Sequence, residues 1–268
     1  MAAQTQTTRR PQTRASLTRD LAGLGVASGD TLVVHSSLKS LGWVCGAEQT
    51  AVHALLDAVG RTGTVVVPTQ TMDNTDPSGW RNPPVPEDWW PTIRAQTPAF
   101  DPRITPSARM GRIAEAVRTW PGAVRSPHPQ TSFAAVGARA GELMDHHPLD
   151  CRLGEDSPLA RLERADARIL LLGTGFDTCT ALHLAEYRVP RPTTEESSCA
   201  VLTADGDRTW TTFTDVAPDS HDFPRLGSDL EARGGVVRGR VGEAAARLFS
   251  LPDAVAFATS WLTGHRAR

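Results

Sequence analysis

A chain of 268 residues with 40% hydrophobic and 22% charged residues can bury a sizeable core and lies far from the composition of disorder. Lysine and arginine together number 28 against 30 acidic residues, a formal net charge of −2 that offers no basic excess for nucleic acid. No uncharged apolar run nears the ~20 residues of a membrane span, so a cytoplasmic protein without a membrane partner is expected.

Residues 1–16 lack the apolar stretch of a secretory signal and are expected to form a tail before a single domain over 17–268. A helix near 17–23 leads into a strand at 31–35 (TLVVH), whose near-continuous apolar run implies burial on both faces of a sheet. Ala51, Leu55, Leu56 and Val59 at helical spacing predict a helix over 47–59, stopped by Gly60. A second buried strand at 64–67 ends on Pro68 and completes a parallel strand–helix–strand crossover. Residues 71–106 carry Pro77, Pro83, Pro84, Pro86, Pro91, Pro98, Pro102 and Pro106 with Trp80, Trp89 and Trp90. Three tryptophans bring too much apolar area for a disordered loop, so an ordered excursion walling a site is expected.

Pro106 opens a helix over 107–120, and a strand at 132–136 and a helix near 139–146 follow. A helix begins at Pro158, a buried strand runs over 167–172, and Gly173-Thr174-Gly175 turns into a helix near 180–187. The remainder predicts strands at 200–203 and 209–214, a helix at 226–233, a short strand at 236–239 and a closing helix region. This mixture points to a three-layer α/β/α sandwich around a mixed, largely parallel sheet, with the last antiparallel strands at one side.

Three segments carry chemistry. His35-Ser36-Ser37-Leu38-Lys39 follows the first strand, and ligands of open α/β sheets collect beyond the strands' carboxyl ends. Serine hydroxyls, backbone N–H groups and the chain's one lysine suit a phosphate there, and a turn capping the next segment suits the residues equally. His183 and Glu186, three apart after a strand and its glycine turn, share a helix face. A carboxylate beside an imidazole fixes its tautomer and raises its basicity, as a general base requires; a surface ion pair or a satisfied core histidine is the plain alternative. His128, between Pro127 and Pro129, fits a structural bond to a carbonyl as well as contact with a ligand. His146-His147 falls at a helix end, where a solvated role is expected. Cys45, Cys151, Cys179 and Cys199 are far apart with no C-x-x-C pair, which predicts free thiols rather than a zinc knuckle or disulfides. With no G-x-S-x-G, S-x-x-K or H-E-x-x-H motif, general-base chemistry is favoured over covalent or metal chemistry, and no metal is expected.

An ordered set of short motifs resembles the aminoglycoside 3-N-acetyltransferase (antibiotic N-acetyltransferase) family over roughly residues 17–192. They are His35-Ser36-Ser37-Leu38 with Gly42; Gly63-Thr64 and Pro68-Thr69; Trp80-Arg81-Asn82-Pro83; Pro98-Ala99-Phe100-Asp101-Pro102; Thr105-Pro106-Ser107 with Met110-Gly111; Arg125-Ser126 with His128-Pro129; Ser132-Phe133-Ala134-Ala135 with Gly137; Ser157-Pro158-Leu159; and Leu172-Gly173 with Thr180, His183 and Glu186. Gln70 departs from the pattern. The resemblance implies a fold other than the GCN5-related one, and acetyl transfer from acetyl-CoA to the 3-amino group of 2-deoxystreptamine aminoglycosides, conferring resistance. It implies that His183 takes the proton from the attacking amine, with Glu186 beside it. His35, Ser36, Ser37, Leu38, Lys39, Thr105, Ser107, Ser132 and Phe133 would line the groove for the co-substrate. The polycationic acceptor would meet Asp73, Glu87, Asp88, Thr180 and Asp222, with Asp76 and Asp101 as further acidic residues of the long loop. The family also includes members acting on other amines, so the same chemistry on a different small amine is the alternative, and a non-catalytic CoA-binding module a further one. A monomer or homodimer is expected.

Overall fold

The first helix opens on a reciprocal cap: the Thr13 hydroxyl accepts from Ser16 N–H (3.1 Å) and the Ser16 hydroxyl accepts from Thr13 N–H (3.0 Å). The computed structural model describes residues 10–71 and 73–266. Part of the expected tail, residues 1–9, therefore lies outside the described residues, while Gln12 pairs with Val44 and residues 14–16 begin helix α1 (Arg14–Leu24).

Seven strands form one sheet in the order β3-β4-β2-β1-β5-β9-β8: β1 (Thr31–Ser36), β2 (Thr64–Pro68), β3 (Val124–Arg125), β4 (Phe133–Gly137), β5 (Arg168–Leu172), β8 (Val237–Val241) and β9 (Ala244–Ser250). Only the β2–β1 and β1–β5 pairings are parallel; β4 and β9 flank this centre antiparallel, and the edge strands β3 and β8 pair antiparallel with them. The expected "largely parallel" sheet is thus corrected to one that is parallel only at its centre. Side chains alternate across it. Leu32, Val34, Val65, Val67, Leu170 and Leu172 pack with α1, α2 (Ala47–Val59) and α4 (Arg112–Arg118). Val33, Val66, Ile169 and Leu171 pack on the other face with α5 (Ala140–Met144), α6 (Pro158–Arg164), α7 (Phe223–Arg233) and α8 (Leu251–Arg266).

Several elements differ from expectation. The helix read over 107–120 shrinks to α4, because Arg109 (φ 62°) and Gly111 (φ 85°) take left-handed backbone that no α-helix continues. The expected strands at 200–203 and 209–214 are the distal half of a longer hairpin, β6 (Thr194–Leu202) and β7 (Arg208–Val216), which forms its own two-stranded sheet. Strand β9 stands where a helix was expected, since its Ala244-Ala245-Ala246 start favours helix and only its place beside β5 decides.

The long excursion is ordered and contains α3 (Trp90–Gln96). Asp76 pairs with Arg94 (2.8 Å), and Asn74 exchanges two 2.9 Å hydrogen bonds with Ala200 of β6. Arg125 fastens its far end: buried, it donates to the Thr69 carbonyl (2.7 Å), the Ser132 hydroxyl (3.0 Å) and the Thr105 carbonyl, and stacks 4.9 Å over Phe100. Burial lowers its pKa to about 10, which still leaves it charged at neutral pH.

Candidate active site

β1 and β5 are parallel neighbours, with His35 opposite Leu171 and Ser36 opposite Leu172, so their carboxyl ends open at one place. Gly173 (φ 71°) makes the junction tight, because a Cβ there would collide with Ser40. The Ser40 hydroxyl instead bonds the Gly173 carbonyl (3.1 Å) and Ser37 Oγ (3.0 Å), while Ser37 N–H donates to the Leu172 carbonyl (2.9 Å). The first two candidate segments therefore meet, and Ser37 works as a structural link between them.

Residues Thr180–Arg188 form a 3-10 helix rather than the expected α-helix. In that geometry residues three apart eclipse one another, which brings His183 and Glu186 together. His183 Nδ1 lies 2.6 Å from Glu186 Oε2, with the two side chains 14% and 3% exposed. Since a carboxylate accepts, Nδ1 carries a proton, and in the neutral imidazole the lone pair is then on Nε2. The other carboxylate oxygen, Oε1, accepts from Asp219 N–H (3.1 Å) and Arg266 (2.5 Å). The His183 ring packs against Phe223, with centroids 4.8 Å apart.

Two cavities adjoin this imidazole. A smaller one, about 310 Å³, lies at the strand ends and is lined by His35, Ser36, Thr174, Asp177, Thr178 and Thr180 among others. A larger one, about 680 Å³, is walled by the long excursion (Asp73, Asp76, Trp80, Asn82) and by Glu195 and Glu196 of β6. Both are lined by His183, Gln70 and Arg109. His35 is buried in the wall of the smaller cavity; burial, and then the nearby His183, lower its pKa to about 4, so it is neutral, and its Nε2 has no partner among the described residues.

The remaining expected site residues fall elsewhere. Ser132 and Phe133 are fully buried and line neither cavity: Ser132 serves Arg125 and the Thr69 carbonyl, and Phe133 is core. Ser107 is bound through N–H and hydroxyl to Glu115 (3.1 and 2.7 Å), and Thr105 serves Arg125. Leu38 packs on the α1–α2 face, and exposed Lys39 lines neither cavity. On the acceptor side, Glu87 and Asp88 are exposed outside both cavities, Thr180 lines the smaller one, and Asp222 is paired with Arg266 (2.5 Å). Asp101 pairs with Arg103 (2.7 Å). His128 is structural: its Nδ1 accepts from the N–H groups of Gln130 and Thr131 (both 3.0 Å), its Nε2 donates to the Leu149 carbonyl (3.2 Å), and burial lowers its pKa to about 3. His147 is buried rather than solvated, between the Ser126 hydroxyl (3.0 Å) and the Arg152 carbonyl (2.7 Å). Sequence reasoning missed Glu195, Glu196 and Arg266, whose places depend on a hairpin and a last helix that no local spacing announces.

The cysteines are free, and burial pushes the Cys179 and Cys199 thiols up to about 12. Among the described residues no cluster of His, Cys, Asp and Glu is arranged to hold a metal, and no helix is long and apolar enough to cross a membrane.

Known proteins resemble this chain over nearly its whole length. A family model described as aminoglycoside 3-N-acetyltransferase matches residues 33–263. The SPbeta prophage-derived aminoglycoside N(3')-acetyltransferase-like protein YokD of Bacillus subtilis (strain 168) is 41% identical over 259 residues, 96% of this chain and 95% of the relative. Its crystal structure superposes with a TM-score of 0.95, covering 98% of this chain and 97% of that one. Aminoglycoside N(3)-acetyltransferase IX of Micromonospora chalcea is 38% identical over 275 residues, 94% of each chain. A structure described as AAC-IIIb binary with CoASH matches with a TM-score of 0.83 and 32% identity, covering 95% of this chain and 97% of that one.

Proposed function

We propose that this chain, which belongs to the aminoglycoside 3-N-acetyltransferase family and is an acetyl-CoA-dependent enzyme, acetylates the 3-amino group of 2-deoxystreptamine antibiotics with His183 as general base. In the cytoplasm that activity confers resistance. The observation that carries the reading is the position of His183, in the wall of both cavities with its Nδ1–H on a buried carboxylate. Helices on both faces of the sheet support a three-layer α/β/α fold, and its being other than the GCN5-related one is what the family resemblance implies.

The thioester supplies an activated acyl group, so no covalent enzyme intermediate is required. An aliphatic ammonium has no lone pair and cannot attack. The ammonium gives its first proton to solvent; His183 Nε2 takes the second as the amine nitrogen bonds the carbonyl carbon, the C–S bond breaks, and the imidazolium passes that proton to the departing sulfur. The smaller cavity, with its hydroxyls and the unpartnered His35 Nε2, suits the acyl end of the co-substrate. The larger cavity suits a polycation. Asp76 and Glu195 are already paired with Arg94 and Arg152, whereas Asp73 and Glu196 have no ion-pair partner among the described residues. These two are the proposed anchors for acceptor ammonium groups.

Thiol release from acetyl-CoA on addition of gentamicin, with NMR placing the new acetyl on the 3-nitrogen, is the expected result. Acetylation of a panel of small amines but of no aminoglycoside would reassign the acceptor. A split in Michaelis constants is expected among variants. Asp73→Asn and Glu196→Gln raise KM for the antibiotic and leave that for acetyl-CoA unchanged. Lys39→Ala, losing a cation proposed to meet the CoA phosphates beside the serine turn, does the reverse. An unaltered KM in any of the three returns that residue to the solvated surface.

A further inference from the structure

We infer that Arg266, at the end of α8, is a positioning residue for this reaction: it locks Glu186 and limits that carboxylate's pull on the His183 proton. The inference rests on the reading of His183 and Glu186 as the catalytic pair and adds what the C-terminal part of the chain does for it. Arg266 lies outside residues 33–263, the stretch matched to the family, so nothing in that match accounts for it.

The last buried side chains of α8 are Trp261 and Leu262, so apolar packing of the helix is complete before Arg266 is reached. Its guanidinium then makes contacts in three directions. Nε and Nη2 form a fork on Asp222 (2.8 and 2.5 Å), Nη2 also reaches the Asp219 carbonyl (2.5 Å), and Nη1 meets Glu186 Oε1 (2.5 Å). Asp222 gains from this: burial opposes its ionisation, yet the guanidinium holds its pKa below the ordinary carboxylate value. Both Glu186 oxygens are thereby occupied, Oε2 by His183 and Oε1 by Arg266 and Asp219 N–H, which leaves the carboxylate no freedom to turn.

Charge matters as much as orientation. An imidazole facing an unneutralised buried carboxylate is held in its protonated form and cannot accept a proton from an amine. A guanidinium on the far oxygen cancels much of that field. The other groups bearing on His183 are His35 from β1, Asp177 from the Phe176–Thr178 turn and Arg109 from the loop before α4 in the smaller cavity, and Asp73, Asp76, Arg81, Arg152, Glu195 and Glu196 around the larger. Behind Glu186 stand Asp219, Asp222 and Arg266. A further cavity of about 750 Å³, lined by Glu186, Asp219 and Arg266, admits solvent to the pair, and Arg266 is 28% exposed. Solvent therefore screens the effect, which places the expected shift near the low end of the 1–3 units that an adjacent opposite charge produces.

The test is a pH titration of 15N-histidine-labelled protein by NMR, the His183 signal being identified by its loss in His183→Asn. Arg266→Gln is expected to raise the His183 midpoint by about 1 unit, and Arg266→Lys to restore the parent value. Asp222→Asn, which leaves the cation less compensated, moves the midpoint down. Opposite signs for the two neutralising variants are a result that mere loosening of the helix end does not produce. An unmoved midpoint in Arg266→Gln, a lysine variant behaving like the glutamine one, or an upward shift in Asp222→Asn each overturns the inference. Should Arg266→Gln fail to fold, the lysine and Asp222 variants decide it alone. The acidic limb of kcat is measured in parallel and is expected to follow the NMR midpoint. A midpoint that moves while the limb stays fixed keeps Arg266 in its role and overturns His183 as the base.

Discussion

Replacing His183 with alanine is expected to lower kcat by about 100- to 10,000-fold, the contribution of a positioned general base. KM for acetyl-CoA and for the antibiotic should change little, because neither cavity loses a charged wall. The residual rate should climb with pH, since a larger fraction of the acceptor is then free amine and solvent hydroxide can take the second proton. Steady-state thiol release across the pH range checks both statements. Turnover of the alanine variant within about threefold of the parent at neutral pH removes His183 from the proton transfer.

Stability should fall steeply on mild acidification. His35, His128 and His147 are buried and neutral in the fold: burial lowers the first two from 6.5 to about 4 and about 3, and holds His147 well below its ordinary value. In the unfolded chain each titrates near 6.5. Above that pH both states are neutral and the contribution of these residues is complete. As pH drops below it the unfolded chain binds three protons that the fold refuses, so stability is lost from pH 6.5 down towards pH 4. Each proton is worth about 1.4 kcal/mol per pH unit once fully bound, so between pH 6.5, where binding is half complete, and pH 5 the three remove about 5 kcal/mol. That is comparable with the entire stability of an ordinary domain, about 5–15 kcal/mol. Urea unfolding followed by circular dichroism at pH 7, 6 and 5 measures the proton uptake. A slope below one proton in this window contradicts the assignment of these three as buried neutral groups. Carboxylates, with unfolded values near 4, add their share only at lower pH.

How much was legible in the sequence depended on how local the signal was. Helix α2 was read at its observed bounds because its apolar spacing and Gly60 act within one turn. The central strands were read because an unbroken apolar run has no other home than a sheet covered on both faces. The pairing of His183 with Glu186 was legible too, since three-residue spacing meets in an α- or a 3-10 helix alike. The partners of Glu186 were not: Arg266 lies 80 residues further on, and nothing at either end predicts their contact. Motif residues proved a poorer guide to role than to membership. Ser132, Phe133 and Thr105 stand in the family's order, yet Ser132 and Thr105 form the seam around Arg125 that joins the long excursion to the sheet, and Phe133 is core. A motif records that a residue is required, and burial decides for what. The polar start of β6 gave no strand signal, because a two-stranded sheet exposing one face to a cavity needs little apolar alternation.

That hairpin has a consequence for how such an enzyme changes over generations. Its ladder is separate from the seven-stranded sheet, so exchanges at cavity-facing positions such as Glu196 leave that sheet and the His183–Glu186 pair untouched. Selection by a new drug can therefore act on one ribbon, retuning which amines are welcomed at little thermodynamic risk, while the catalytic half of the molecule stands still.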